Sequence, residues 1–249
     1  PWFPEVLVAE REHCRIAFPA DYRNIWEGEC KSAIDGAIYA SEIQLMTTEG
    51  RITDVPYNPR CLVHTIWDLG FNDAMSIIMA QKTGPSQIAV IDHLEVNQKT
   101  IDWCVAELRQ RRYNWGYDWL PHDAMHRNYQ SGVSTVAVMR RLGRKTKQIP
   151  NMSVESGIRT ARMVFPRVYI DRTRGARLID CLRHYRRSIP TSTGEPAGPV
   201  HDEYSHGADA WRYLSIVADR LSNELDDDLE RTELAAAGSF YQSDPAMGY

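Results

Sequence analysis

Three β-rich runs follow one another with little chain between them, and this spacing narrows the fold more than any other feature. Residues 62–67 read LVHTIW and end at Asp68, Leu69 and Gly70. Residues 74–80 form a second apolar run, and a third strand begins at 88–91 after the turn Gly84, Pro85, Ser86. Connections this short cannot cross over a sheet, so the runs are expected to pair as an antiparallel meander. The period then changes. Ile101, Cys104, Val105 and Leu108 fall at helical spacing behind Thr100, a residue suited to cap a helix.

The remaining pattern predicts a short strand at 117–120, a helix at 133–142, a strand at 148–152 and helices at 154–164, 178–185 and 208–221. Residues 190–200 read as a loop. Strands and helices interleaved in this way predict a mixed α/β sheet covered by helices. Residues 5–60 mix apolar stretches with turn signals, with one short helix expected at 37–45, and the chain beyond 221 is acidic, then small and polar. The expected organisation is a leading segment over 1–60, a domain over 61–221 and a tail over 222–249. The 249 residues are 43% hydrophobic and 25% charged, enough to bury one core. No apolar run approaches the roughly 18 residues of a membrane span. Five cysteines, with no CxxC pair, argue against both a disulfide framework and a zinc ribbon. No GxxxxGK[ST] phosphate loop occurs in these residues.

Net charge is −4, which on its face argues against a nucleic-acid partner. Its distribution argues otherwise. Residues 108–187 hold 18 Lys plus Arg against 5 Asp plus Glu, while the remainder holds 11 against 28. Most of the basic residues are Arg, which binds phosphate bidentately. Two readings stand: a DNA-binding face, or arginines paired with the acidic remainder.

Three carboxylates are singled out by position. Asp68 closes the first strand, Asp123 closes the fourth, and Asp209 opens the last helix behind His206 in SHGADAW. Carboxylates at strand ends share one edge of a sheet, where sites of α/β folds lie. Clustered acids call for cations, and oxygen ligands select hard ions such as Mg²⁺ or Mn²⁺. Two such ions about 4 Å apart can activate water and stabilise the leaving oxygen of a phosphodiester. Asp73, Asp92, Glu95, Asp202 and Glu203 compete for the same roles.

With those residues in view, the chain resembles the nuclease domain of the large terminase subunit of tailed double-stranded DNA bacteriophages. TIWDLGFNDAMSII around Asp68, YDWLPHDA around Asp123 and HDEYSHGADAWRYL around Asp209 carry the resemblance, and WDLG together with SHGADAWRY is its most specific part. DYRNIWEGEC and GRITDVPYNP resemble the segment leading into that domain, and PWFPEVL the end of a preceding ATPase domain. The resemblance spans roughly residues 1–221.

It implies a ribonuclease H-like sheet and a metal-dependent endonuclease that cuts concatemeric viral DNA during packaging in the host cytoplasm. The implied cofactors are two divalent ions, Mg²⁺ or Mn²⁺. Asp68, Asp123 and Asp209 are the implied catalytic metal ligands, with His206 as an accessory ligand or proton shuttle. Asp73 and Asp202 are secondary candidates, and Asp202 competes with Asp209 for the third position. Arg140, Arg141, Arg144, Lys145 and Lys147 are expected to track double-stranded DNA. Portal protein and small terminase subunit are the implied partners, and no membrane. A junction resolvase and a non-catalytic docking module of a packaging motor are the rival readings.

Overall fold

The computed structural model describes residues 4–17, 22, 26, 36–70, 73–125, 132–190 and 196–225. Seven strands form one sheet: β1 (Ile52–Thr53), β2 (Val63–Asp68), β3 (Ala74–Lys82), β4 (Ile88–Asn97), β5 (Trp115–Leu120), β6 (Thr146–Gln148) and β7 (Val168–Asp171). Their order is β1-β7-β4-β3-β2-β5-β6. The meander forms as expected, with Asp68 opposite Ser76 and Ser76 opposite Glu95. Every other pairing is parallel. Among the described strands, β3 alone runs against its neighbours. The C-terminal ends of the other six therefore line one edge, together with the start of β3. This is the mixed sheet flanked by helices that the sequence predicts.

The helices are α1 (Glu5–Ala17), α2 (Ala40–Thr48), α3 (Ile101–Gln110), α4 (Thr135–Arg141), α5 (Val154–Val164), α6 (Ala176–His184) and α7 (Ser205–Val217). Three N-caps are side-chain hydroxyls: Thr100 accepts from Trp103 N, Ser134 from Ala137 N and Ser153 from Ser156 N. On one face of the sheet, Ile66, Ile78, Ala80 and Val90 pack under α2, α5, α6 and α7. On the other, Trp67, Ile77, Met79 and Ile91 pack with Cys104, Val105 and Leu108 of α3 and Met139 of α4. Both faces of β3 are thus covered, and its first eight residues are buried. No described helix is long and apolar enough to cross a membrane.

The structure corrects several sequence expectations. Tyr39, Ile43 and Met46 belong to the main core, and β1 pairs with β7. A helix occupies Glu5–Ala17, where the sequence reads as broken apolar stretches. The strand expected at 148–152 lies at Thr146–Gln148. β7 went unread because four residues between helices are too few to display a period of two. At the other end, the His64 ring accepts from Tyr117 N (3.1 Å) and sits 2.8 Å from the Ser222 carbonyl, while Asn223 Oδ1 accepts from Leu62 N. Residues 222–225 are therefore tied to the sheet. Asp226, Asp227 and Asp228 lie outside the described residues, as do Cys30, most of DYRNIWEGEC and the first three residues of PWFPEVL. Gly116 makes the His64 contact possible: a Cβ there would lie 2.7 Å from the ring.

Arg144 is also corrected. Its guanidinium is not offered to solvent but lies buried against Asp118 on β5, at 2.8 Å (Nε to Oδ2) and 2.6 Å (to Oδ1). It stacks on Trp115, and Thr65 Oγ1 donates to the same carboxylate. A charge committed to a bidentate buried pair is unavailable to a phosphate. Removing one partner of such a pair leaves the other charge buried alone, which costs about 3–5 kcal/mol. Arg144→Ala is accordingly expected to lose that much stability in urea unfolding. A loss below about 1 kcal/mol, the size of an exposed pair, would return Arg144 to the surface.

Candidate functional site

The shared strand edge gathers the acids. Asp68, Ser76 and Glu95 stand side by side across β2, β3 and β4, on the face covered by α6 and α7. Helix α7 lies across β2 and β3 and brings down His206, Asp209 and Arg212. Its approach depends on Gly207, where an added Cβ would lie 2.7 Å from both Cβ and Sγ of Cys181 on α6. The small residue in SHGADAW is what lets its neighbours reach the sheet.

Asp68 and His206 meet at 3.3 Å, Nδ1 to Oδ2, both mostly buried. Burial pushes the Asp68 carboxyl above the ordinary carboxylate range. The Asp209 charge pushes the same way, and the His206 hydrogen bond opposes both. His206 is raised in turn, chiefly by that bond. Asp209 is held by Arg212, whose Nε and terminal nitrogen both donate to Oδ1 at 3.1 and 3.0 Å. Arg212 is itself buried, stacked on Tyr213 and laid over Gly157 of α5, where a Cβ would lie 2.6 Å from it. One oxygen of each acid is thus oriented by a cationic or hydrogen-bonding side chain. Asp68 Oδ1 and Asp209 Oδ2 have no such partner among the described hydrogen bonds.

The other sequence candidates are placed differently. Asp123 lies in a single 3₁₀ turn, His122–Met125, just past β5, and is exposed. Ile66 pairs with Trp119, so extending that register sets Pro121 beside Asp68 and Asp123 two residues further along the same edge. Asp202 is engaged in the turn before α7, where Oδ1 accepts from Tyr204 N at 3.0 Å and Oδ2 pairs with Arg186 at 3.4 Å. Asp73 faces His201 at 3.7 Å. Asp73, Asp202, Glu95, Glu203, His201 and His206 line a cleft of about 400 Å³ beside Asp68, with Arg177 at its wall. Sequence reasoning missed His201, Arg177 and Arg212. HDEYSH contains two histidines five apart, a signal that could have drawn attention to His201.

The basic segment divides. Arg111 pairs with Asp92, Arg162 with Glu42, Arg167 with Asp219, Arg172 with Asp54, Arg177 with Glu95, Arg186 with Asp202 and Arg187 with Glu155. Six of these arginines face acids from the rest of the chain, and Arg187 faces one within the segment. Arg140 and Arg141 are exposed at the end of α4, with no described ion pair. Arg140 lines a second cavity with Lys147, Gln148 and Leu120, next to the turn that carries Asp123. Lys147 lies 4.0 Å over the Tyr117 ring, and Lys145 is half-buried.

The sequence matches no family model and no curated protein. Solved structures do superpose on it. The large terminase of a thermophilic bacteriophage covers 85% of this chain with a TM-score of 0.57 at 15% identity, and the chain spans about half (52%) of that protein. The P22 large terminase nuclease domain covers 72% of this chain, and 93% of its own length, with a TM-score of 0.53 at 17% identity. A looser match, TM-score 0.47 at 16% identity, is the large terminase nuclease of the thermophilic phage G20c solved with bound magnesium. Identity this low speaks for the fold alone: this chain has the ribonuclease H-like fold of the large-terminase nuclease domain.

Proposed function

We propose that this chain is the nuclease part of a phage DNA-packaging protein, cleaving double-stranded DNA by divalent-metal-dependent phosphodiester hydrolysis. The observation that carries the reading is the pairing of Asp68 with Asp209 at the strand edge. Burial chiefly, with the Asp209 charge adding to it, raises the pKa of Asp68, and each acid keeps an oxygen outside its orienting contact. Such a set is short of positive charge and offers hard oxygen donors, which fits Mg²⁺ or Mn²⁺. On this reading Asp68, Asp209 and Asp123 hold two ions. Asp209 is preferred to Asp202 because Asp202 is spent on a turn and on Arg186. Ions bound there supply Lewis-acid polarisation of the phosphate and a more acidic water.

The chain's own residues set the geometry. His206 Nδ1 hydrogen-bonds Asp68 and fixes its orientation, and Arg212 does the same for Asp209. Arg140 and Arg141 are the proposed backbone contacts, and Lys147 sits on the same side of the edge. Cutting of concatemeric DNA in the host cytoplasm, with portal protein and small subunit as partners, belongs to the whole packaging protein on this same proposal.

The chain should linearise supercoiled plasmid in Mn²⁺, and Asp68→Ala and Asp209→Ala should each abolish this. Undiminished cleavage by Asp68→Ala would sink the site. Strong preference for a four-way junction over plasmid would keep the nuclease and replace its biological role.

Ionisation of Asp68 disfavours folding, because its folded pKa lies above the unfolded one. The stability this represents is present at low pH and is lost as pH rises through the raised value. At neutral pH in chelator, Asp68→Asn should therefore melt at or above the parent. Mn²⁺ should stabilise the parent by about 2.7 kcal/mol at 100-fold the dissociation constant, raising its melting point, and leave Asp68→Asn nearly unmoved. Equal shifts in both proteins would remove Asp68 from the ligand set.

Replacing Arg140 and Arg141 together by Ala should lower the slope of log affinity for DNA against log salt by about 0.9 per lost phosphate contact. An unchanged slope assigns both to a solvated face.

A further inference from the structure

Beside Asp68, the cleft holds a second group of donors of a different chemical kind. Asp73, at the start of β3, and His201 and His206, on either side of the turn into α7, each bring one ligand atom within 4.8 Å of the other two. His201 Nε2 lies 3.7 Å from Asp73 Oδ2, and the two imidazoles meet edge to face at 5.1 Å. Each ring is held from behind by a residue outside the trio. Ser205 Oγ is 3.0 Å from His201 Nδ1, and Asp68 Oδ2 is 3.3 Å from His206 Nδ1. A metal-binding histidine is ordinarily oriented this way, its far nitrogen hydrogen-bonded to an oxygen and its near nitrogen left for the ion. Both rings therefore have Nε2 as their remaining nitrogen.

We propose that Asp73, His201 and His206 form a binding site for a borderline transition-metal ion such as Zn²⁺ or Co²⁺. Two imidazoles and one carboxylate suit these ions, whereas Mg²⁺ takes oxygen ligands. The site is thus distinct in selectivity from the all-carboxylate set at Asp68 and Asp209. Ligand atoms of a tetrahedral centre with bonds of about 2.0–2.1 Å lie about 3.3 Å apart. Closing the trio to that spacing asks for small rotations of Asp73 and His201, whose side chains are 63% and 69% exposed and free to make them. His206 moves least, being buried and tied to Asp68. Metal at its Nε2 fixes the tautomer whose Nδ1–H donates to Asp68. The ion is thereby coupled to the first acid of the strand edge without touching it.

The test is Co²⁺ titration of the full chain in excess Mg²⁺ without DNA, followed by visible d–d absorption. One Co²⁺ per chain should bind despite the Mg²⁺. His201→Ala should lower the affinity about tenfold or more, and Asp73→Asn should also weaken it, with metal-free melting points reporting that both variants fold. Co²⁺ binding as tight in His201→Ala as in the parent, or complete displacement by Mg²⁺, overturns the site. Plasmid cleavage measured in parallel separates this inference from the nuclease reading. His201-dependent binding without cleavage leaves the site standing and removes the nuclease. Cleavage with His201-independent binding does the reverse.

Discussion

The close seating of α7 on the sheet is the contact on which the rest of the edge depends. Gly207 removes the Cβ that would collide with Cys181, and Ala208, Ala210 and Trp211 are fully buried behind it. With the helix that near, His206 reaches Asp68, and Asp209 comes close enough to act on its pKa. The cost is electrostatic: two carboxylates are brought together at a partly buried edge. Arg212 and His206 offset part of it, one oxygen each. What remains is an attraction for cations built into the packing of one helix.

The topology supplies the second half of the arrangement. Because β3 alone among the described strands is antiparallel to its neighbours, the ends of β2, β4 and β5 fall on one edge, and residues distant in sequence become neighbours there. Asp68, Glu95 and the turn holding Asp123 are separated by tens of residues along the chain but by one to three strands across the sheet. The network of Asp118, Arg144, Thr65 and Trp67 ties β5 to β2 and to the start of β6 on the opposite face. That network holds the strand that precedes Asp123, although none of its members reaches the acidic edge.

Charge shows where sequence reasoning falls short. The arginine-rich stretch from 108 to 187 could be counted but not assigned, because a count does not say which guanidinium meets which carboxylate. In the fold, Arg111, Arg162, Arg167, Arg172, Arg177, Arg186 and Arg187 each find an acid, and Arg144 is buried. Arg140 and Arg141 remain exposed at the end of α4. The candidate DNA face is narrower than the charge sum suggests, and lies beside Asp123 rather than along the whole segment.

The sequence alone determined the local elements with a strong period: the three-strand meander, the helix behind Thr100, the helix at Val154–Val164 and the end of the first meander strand at Asp68. These rest on side-chain alternation and capping, which are read within a few residues. Only the tertiary structure decided the rest. It paired β1 with β7, drew Tyr39 and Met46 into the core, laid Arg212 over Gly157 and turned His201 towards Asp73. Those outcomes depend on contacts between residues far apart in the chain, and periodicity carries no information about them.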